Sequence, residues 1–242
     1  MRYFIEFAYD GSSFFGYQIQ PNQISVQEEL EKALSTILRE PIKTTGAGRT
    51  DTGVHAKKMF AHFETEQTLN ENMIYKLNSF LSENISIKRI FEVADDMHAR
   101  FSATFRTYEY YISTEKDPFT TNSSWQTWRQ KPLDVDAMNE ACKILFEYDD
   151  FTSFAKLHTD NKTNICKIYK AEWEQAGNQL KFTISADRFL RNMVRAIVGT
   201  MVEIGTGKLQ PNDLRKIIED KYRNSAGVSA PAQGLFLVDV GY

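Results

Sequence analysis

Two hydrophobic periods alternate along this chain, and their order limits the folds open to it. Tyr3, Ile5, Phe7 and Tyr9 recur at every second position, the spacing of a strand. Ser25-Val26-Gln27-Glu28 has capping-box spacing and opens a helix to about residue 39. Val26, Leu30, Ala33, Leu34 and Ile37 form its apolar face, and Pro41 stops it. A short strand from Ile42 leads into a glycine-rich stretch, and another over 58–65 leaves it. Residues 70–82 repeat at helical spacing (Met73, Leu77, Phe80, Leu81), and 85–93 alternate again as a strand. The order is β-α-β-β-α-β.

The second half follows the same pattern without sharing residue identity. A strand over 105–114 precedes a helix over 134–147 with Val135, Met138, Cys142 and Leu145 inward. Strands over 165–175 and 179–186 flank Gly177-Asn178, a hairpin turn signal. A helix over 189–204, a second from Pro211 and a strand over 235–242 finish the chain. This order predicts an α+β protein of two ferredoxin-like halves, 1–104 and 105–242, joined by a crossing over 91–106. The sheets are expected to be antiparallel and helix-covered, with a cleft between the halves.

The 242 residues can bury a sizeable core. The first ten carry Glu6 within a strand pattern and do not form a signal peptide. The most apolar stretch, 189–204, is interrupted by Arg191, Arg195 and Glu203, so no membrane span is expected. Cys142 and Cys166 lack CxxC spacing, which points to a reducing, cytosolic setting. A formal net charge of −3 argues against a nucleic-acid partner unless the basic residues gather on one face.

The stretch Gly46-Ala47-Gly48-Arg49-Thr50-Asp51-Thr52-Gly53-Val54-His55-Ala56 carries the chemistry. Its glycines admit close approach of backbone or ligand. In extended chain, Arg49 and Asp51 point the same way, and a neighbouring cation favours the ionised carboxylate. Such a group suits nucleophilic or electrostatic work, although an aspartate before a glycine is also a common turn former. Asp-Thr-Gly is an aspartic-protease signature too, but that chemistry needs two such carboxylates and this chain has one copy.

Several further blocks stand in order along the chain. They are Tyr9-Asp10-Gly11 with Gly16-Tyr17-Gln18, the glycine stretch, His98-Ala99-Arg100-Phe101-Ser102-Ala103, and Arg106-Thr107-Tyr108-Glu109-Tyr110. Asp150-Phe151-Thr152-Ser153-Phe154, the 189–195 block Phe-Leu-Arg-Asn-Met-Val-Arg, and Gly234-Leu235-Phe236-Leu237 follow. Together they resemble the TruA family of tRNA pseudouridine synthases over essentially the whole chain. The resemblance implies isomerisation of uridine to pseudouridine at positions 38, 39 and 40 of the tRNA anticodon stem-loop. It implies a homodimer and no metal, redox or organic cofactor.

By match to the family pattern, Asp51 is the catalytic aspartate, attacking C1′ or assisting loss of the 2′ proton to form a glycal. A base inside a stem must be flipped out to be reached. Tyr108 matches a tyrosine that stacks on the uracil or helps remove its C5 proton, although paired strand tyrosines such as Tyr108 and Tyr110 are usually core residues. Arg49 matches an arginine that holds the place of the flipped base, and Arg195 a second active-site arginine able to pair with Asp51. Leu235 matches the apolar wall of the base pocket. Two departures stand out: Arg191-Asn192 replaces a pair of histidines common in the family, and Thr52 stands where alanine is common.

A basic face follows from spacing. Arg188, Arg191 and Arg195 fall at i, i+3 and i+7, one stripe of the expected helix. Lys57, Lys58 and His62 flank the glycine stretch, Arg100 and Arg106 sit on the crossing, and Lys156, His158, Lys162 and Lys167 follow Phe154. All are candidate phosphate contacts that position RNA without reading sequence. Residues 150–154 form either a structural turn or a further contact. A binding module without catalysis and a hydrolase that releases free uracil are the rival functions.

Overall fold

The computed structural model describes residues 1–70, 72–156 and 163–242. The chain divides into two compact units, Met1–Thr104 with Phe236–Tyr242, and Phe105–Leu235.

In the first unit, β1 (Arg2–Tyr9) lies between β3 (His55–Glu64) and β4 (Ile85–Val93), antiparallel to both. Tyr3, Ile5, Phe7 and Tyr9 are buried on one face of β1, while on the other Phe4 is buried and Arg2, Glu6 and Ala8 are half-exposed, as an antiparallel strand with one partly solvated face allows. On that face Glu6 pairs with Arg89 of β4. A two-residue strand, β2 (Thr45–Gly46), pairs with β3. β9 (Leu235–Gly241) also joins β3, and it does so in parallel, His55 opposite Phe236 and Ala56 opposite Leu237. The fold is α+β as the spacing predicts, but the sheet is mixed and not purely antiparallel. A parallel pair needs a long connection between its strands, and the residues from 65 to 234 provide it.

Helix α1 (Val26–Leu38) starts where the capping box places it: Ser25 Oγ accepts from the Glu28 N–H at 3.3 Å. It ends because Arg39 turns left-handed (φ +58°), before Pro41 is reached. Leu38 is buried at its end, while Ile37 is half-exposed. Glu31 is also buried, an exception that helical spacing does not foresee. Its carboxylate accepts from the Thr44 N–H at 2.9 Å and Gln27 Nε2 at 3.0 Å, and pairs with Lys43 Nζ at 3.0 Å. This buried, fully partnered charge fastens α1 to the residues entering β2. Helix α2 (Asn72–Phe80) packs Met73 and Leu77 inward.

In the second unit, β5 (Phe105–Ser113), β8 (Gln179–Ala186) and β7 (Ile168–Ala176) form an antiparallel sheet in that order. The two-residue β6 (Trp125–Gln126) lies parallel to the end of β5. Gly177-Asn178 makes the β7–β8 turn, with Gly177 at φ +59°. Helix α3 (Val135–Ile144) is capped by Asp134, whose carboxylate accepts from the Ala137 N–H at 2.9 Å. Cys142 is buried on its inner face, and Cys166 is buried just before β7; neither forms a disulfide. Helix α4 (Met193–Gly205) is apolar nearly all round and buried accordingly, and α5 (Asp213–Glu219) follows. Among the described residues, no helix is long and apolar enough to cross a membrane.

One expectation fails at the start of α4. Asn192 sits at φ +67°, so helical backbone begins only at Met193. Arg188 and Arg191 therefore precede the helix, and Arg195 alone of the three lies on it. The expected arginine stripe does not exist as one helical face.

Candidate active site

The glycine stretch forms the loop between β2 and β3. The Ala47 N–H donates to the Phe60 carbonyl at 2.7 Å, extending the hairpin one residue past β2. Asp51-Thr52-Gly53-Val54 is a tight turn closed by the Val54 N–H on the Asp51 carbonyl at 3.1 Å. Gly53 takes φ +77°, the value a type II turn needs at its third position. Asp51 stands half-buried at the head of this turn, and Arg49 is exposed two residues before it.

The loop is held from behind by residues 9–17. Tyr9 Oη lies 2.8 Å from Thr50 Oγ1, and the Tyr17 N–H donates to the Thr50 carbonyl at 3.2 Å. The Gly11 N–H donates to Nδ1 of buried His55 at 3.1 Å. Backbone meets backbone here. A Cβ on Gly11 would lie 2.0 Å from the Val54 carbonyl oxygen, and one on Gly16 would lie 2.6 Å from that of Thr50. Both neighbours of the Asp51-Thr52-Gly53 segment are thus pinned, while a Cβ on Gly48 would meet nothing within 4 Å. Sequence inspection picks out Tyr9-Asp10-Gly11 and Gly16-Tyr17-Gln18 as blocks but not this supporting role. The signal was two glycines beside tyrosines, and their target was visible only in space.

The remaining candidates of the first unit separate clearly. Lys57 is exposed, its Nζ 5.4 Å from the Phe236 ring centre, and Lys58 pairs with Asp239 at 2.7 Å. Arg100 is exposed beside Phe101. His62 does not belong among the phosphate contacts. It is buried, its Nδ1 accepts from the Ala99 N–H at 3.1 Å, and burial pushes its pKa down to about 4. Its inward position on β3 decides this.

In the second unit Tyr108 is half-buried on β5, with its ring edge-on to Phe189 at 5.2 Å. Tyr110 is fully buried, and its hydroxyl donates to the Pro231 carbonyl at 2.7 Å. The two tyrosines, alike in sequence, have different duties. Leu235 is buried at the start of β9, and Arg195 is half-buried, with Nε donating to the Ala230 carbonyl at 2.7 Å.

Three basic candidates converge on Asp187. Its Oδ1 accepts from the backbone N–H groups of Lys167 and Arg188, each at 2.7 Å, and its carbonyl accepts from Arg106 Nη1 at 2.9 Å. Lys156 and Arg191 form a second pair through a backbone bond of 3.0 Å. Of the arginines that helical spacing would have aligned, Arg188 and Arg191 are instead held in the preceding loop through their backbone. His158 and Lys162 lie outside the described residues. Residues 150–154 are a structural turn: Phe151 and Phe154 are fully buried, and Ser153 Oγ accepts from the Tyr222 N–H at 3.1 Å.

The first unit offers a carboxylate on a pinned, partly open loop; the second offers a half-buried aromatic ring on a strand and basic residues held beside Asp187. Comparison with known proteins follows the same line. Residues 6–102 and 141–242 match the family described as tRNA pseudouridine synthase. The chain is 57% identical to "tRNA pseudouridine synthase A" of Bacteroides fragilis, covering 100% of this chain and 96% of that one. It is 52% identical to the protein of the same name from Parabacteroides distasonis, over 100% and 96% of the two chains. With that of Bacillus subtilis it shares 39% identity over 100% and 99%.

Proposed function

The chain belongs to the tRNA pseudouridine synthase family, and from that membership we propose that it isomerises uridine to pseudouridine in tRNA, at positions 38, 39 and 40 of the anticodon stem-loop. The observation that carries the assignment to a residue is Asp51, half-buried in a turn whose two flanks are pinned by backbone contacts. A carboxylate held in this way loses little freedom when it meets substrate.

The reaction breaks the C1′–N1 bond, turns the uracil, and forms C1′–C5. The C5 proton leaves and N1 regains one, so the formula is unchanged. Asp51 acts at the ribose, by attack on C1′ or by assisting removal of the 2′ proton; both need the ionised carboxylate. Tyr108 stacks on the flipped uracil, a contact worth about 1–3 kcal/mol per base, and its hydroxyl helps remove the C5 proton. Arg49 occupies the space the base leaves, Arg195 is the second active-site arginine, and Leu235 walls the base. Arg106, Lys167 and Arg188 around Asp187, with Arg191, Lys57 and Lys58, contact phosphates. The functional division into halves 1–104 and 105–242, each ferredoxin-like, a homodimer and a cytoplasmic setting belong to the same proposal. Support for it comes from the family match and, for the first half, from the order β1, α1, β2, β3, α2, β4; the closing strand that the second half would need, β9, lies almost wholly in the first unit.

Incubation with tRNA tritiated at uridine C5 tests the function. Tritium reaching water while the base stays attached is the expected result. Labelled free uracil would mean a hydrolase, and no release a binding module. Asp51→Asn is expected to lower turnover by at least about 1,000-fold while tRNA binding stays within a fewfold of the parent. Substantial turnover by that variant would sink the assignment of Asp51.

A further inference from the structure

Arg195 is directed by a segment with no charged side chain of its own. Its Nε donates to the Ala230 carbonyl at 2.7 Å, and the Ala230 N–H donates back to the Arg195 carbonyl at 2.9 Å. Residues 226–231 cross α4 at Gly199, where an added Cβ would lie 1.8 Å from the Val228 carbonyl oxygen. Beside this crossing, the Gly227 N–H donates to Thr200 Oγ1 at 2.9 Å. The Val228 side chain is 83% exposed, so burial of side chains does not hold the middle of the segment. Hydrogen bonds do.

Three of them come from the Arg223 guanidinium, one of these a 3.4 Å bond from Nη1 to the Ala226 carbonyl. Its Nη1 donates to the Gly227 carbonyl at 3.1 Å, and its Nη2 to Ser229 Oγ at 2.8 Å. Ser229 Oγ also accepts from Asn192 Nδ2 at 2.7 Å, which ties the segment to the left-handed residue that starts α4. Downstream, Tyr110 Oη donates to the Pro231 carbonyl at 2.7 Å, and Gly234 packs against the Tyr110 ring. The planar fork of a guanidinium can satisfy two acceptors two residues apart, which the single ammonium of a lysine cannot do in the same geometry.

We propose that Arg223 is a positioning residue for the isomerisation: by bracing the Gly227 carbonyl and the Ser229 hydroxyl, it fixes the 226–231 segment and, through the Ala230 carbonyl, the direction of the Arg195 guanidinium. This rests on Arg195 serving the reaction. A displacement of about 1 Å in a group that must meet the transition state can lower the rate by about 100-fold, so a brace two contacts away has leverage.

The test is a double-mutant cycle read in single-turnover rate and tRNA binding separately. Arg223→Lys is expected to bind tRNA within about twofold of the parent and to react about 10-fold more slowly. In an Arg195→Ala background, the same substitution is expected to cost less than about twofold more, because the group it positions is gone. Ser229→Ala, which removes the acceptor shared by Arg223 and Asn192, is expected to show the same pattern at about threefold, and serves if Arg223→Lys does not fold. The proposal is overturned if both variants react at the parental rate, if their losses multiply with that of Arg195→Ala, or if binding falls while the rate holds. A fully active Arg195→Ala would instead remove the role of Arg195, and this proposal with it; that result is read in the single variant alone.

Discussion

Thr50 is gripped from two sides, and Gly16 makes one grip sterically possible. Gly16 has φ +89°, and the Thr50 carbonyl oxygen occupies the space of its missing side chain. Gly16→Ala therefore forces a strained backbone, at about 1–3 kcal/mol, and pushes on the loop bearing Asp51. At about 2–4 °C per kcal/mol for a chain of this length, a fall in the unfolding midpoint of several degrees is expected. Turnover should fall further than stability, because the displaced atoms adjoin Asp51. An alanine variant with parental melting and parental turnover would show that the loop needs no such support. Asp51 could be singled out from sequence because a carboxylate among glycines and next to an arginine is unusual locally. The role of Gly16 could not, because its contact spans more than thirty residues of chain. Tyr108 and Tyr110 make the same point: their spacing is identical to that of any strand pair, and only packing separates the half-exposed ring from the buried one.

Among elements, the strands and helices whose periodicity is strong lie where the spacing predicts them, β4 and β8 to the residue. The failure at α4 has a local cause. The pattern of Phe189, Leu190, Met193 and Val194 is helical in spacing, but one left-handed residue, Asn192, interrupts the backbone, and asparagine tolerates that conformation as few residues do. The segment 97–103 depends on a different device. His62 on β3 and His98 lie with ring centres 4.6 Å apart, near Arg2, and burial is the main reason both have pKa values below the ordinary 6.5. For His62 that value is about 4. The unfolded chain therefore takes up a proton between pH 6.5 and 4 that the folded chain refuses, and stability must fall as pH falls through that window. Thermal unfolding from pH 7 to 4 should show this decline. His62→Asn, whose Oδ1 can accept from the Ala99 N–H, should make it shallower while leaving the share due to His98. An unchanged slope in the variant would place the titration elsewhere.

For the molecule as a whole, a formal charge of −3 means that RNA is not drawn by net charge. Attraction would have to come from individual basic residues such as Arg106, Lys167 and Arg188, which Asp187 holds by one guanidinium and two backbone N–H groups. If these three meet phosphates, their share of the weakening of tRNA binding on a fourfold rise in salt is roughly 40-fold, and Lys167→Ala with Arg188→Ala should lower the logarithmic salt slope by about 2. A slope unchanged by the double variant would remove these residues from the interface. No reading of residue spacing finds this meeting point, because one aspartate holds the Arg106 side chain and the backbone of Lys167 and Arg188 from three separate stretches of chain. The two cysteines have a practical consequence of another kind. Both are buried, and burial pushes both thiols up to about 12, so at neutral pH neither presents a thiolate to a reagent. The native chain is in effect silent toward maleimides, and a single cysteine introduced on an exposed loop could carry a dye without first removing the natural pair. That opens the enzyme to single-molecule observation of tRNA capture with its core chemistry untouched.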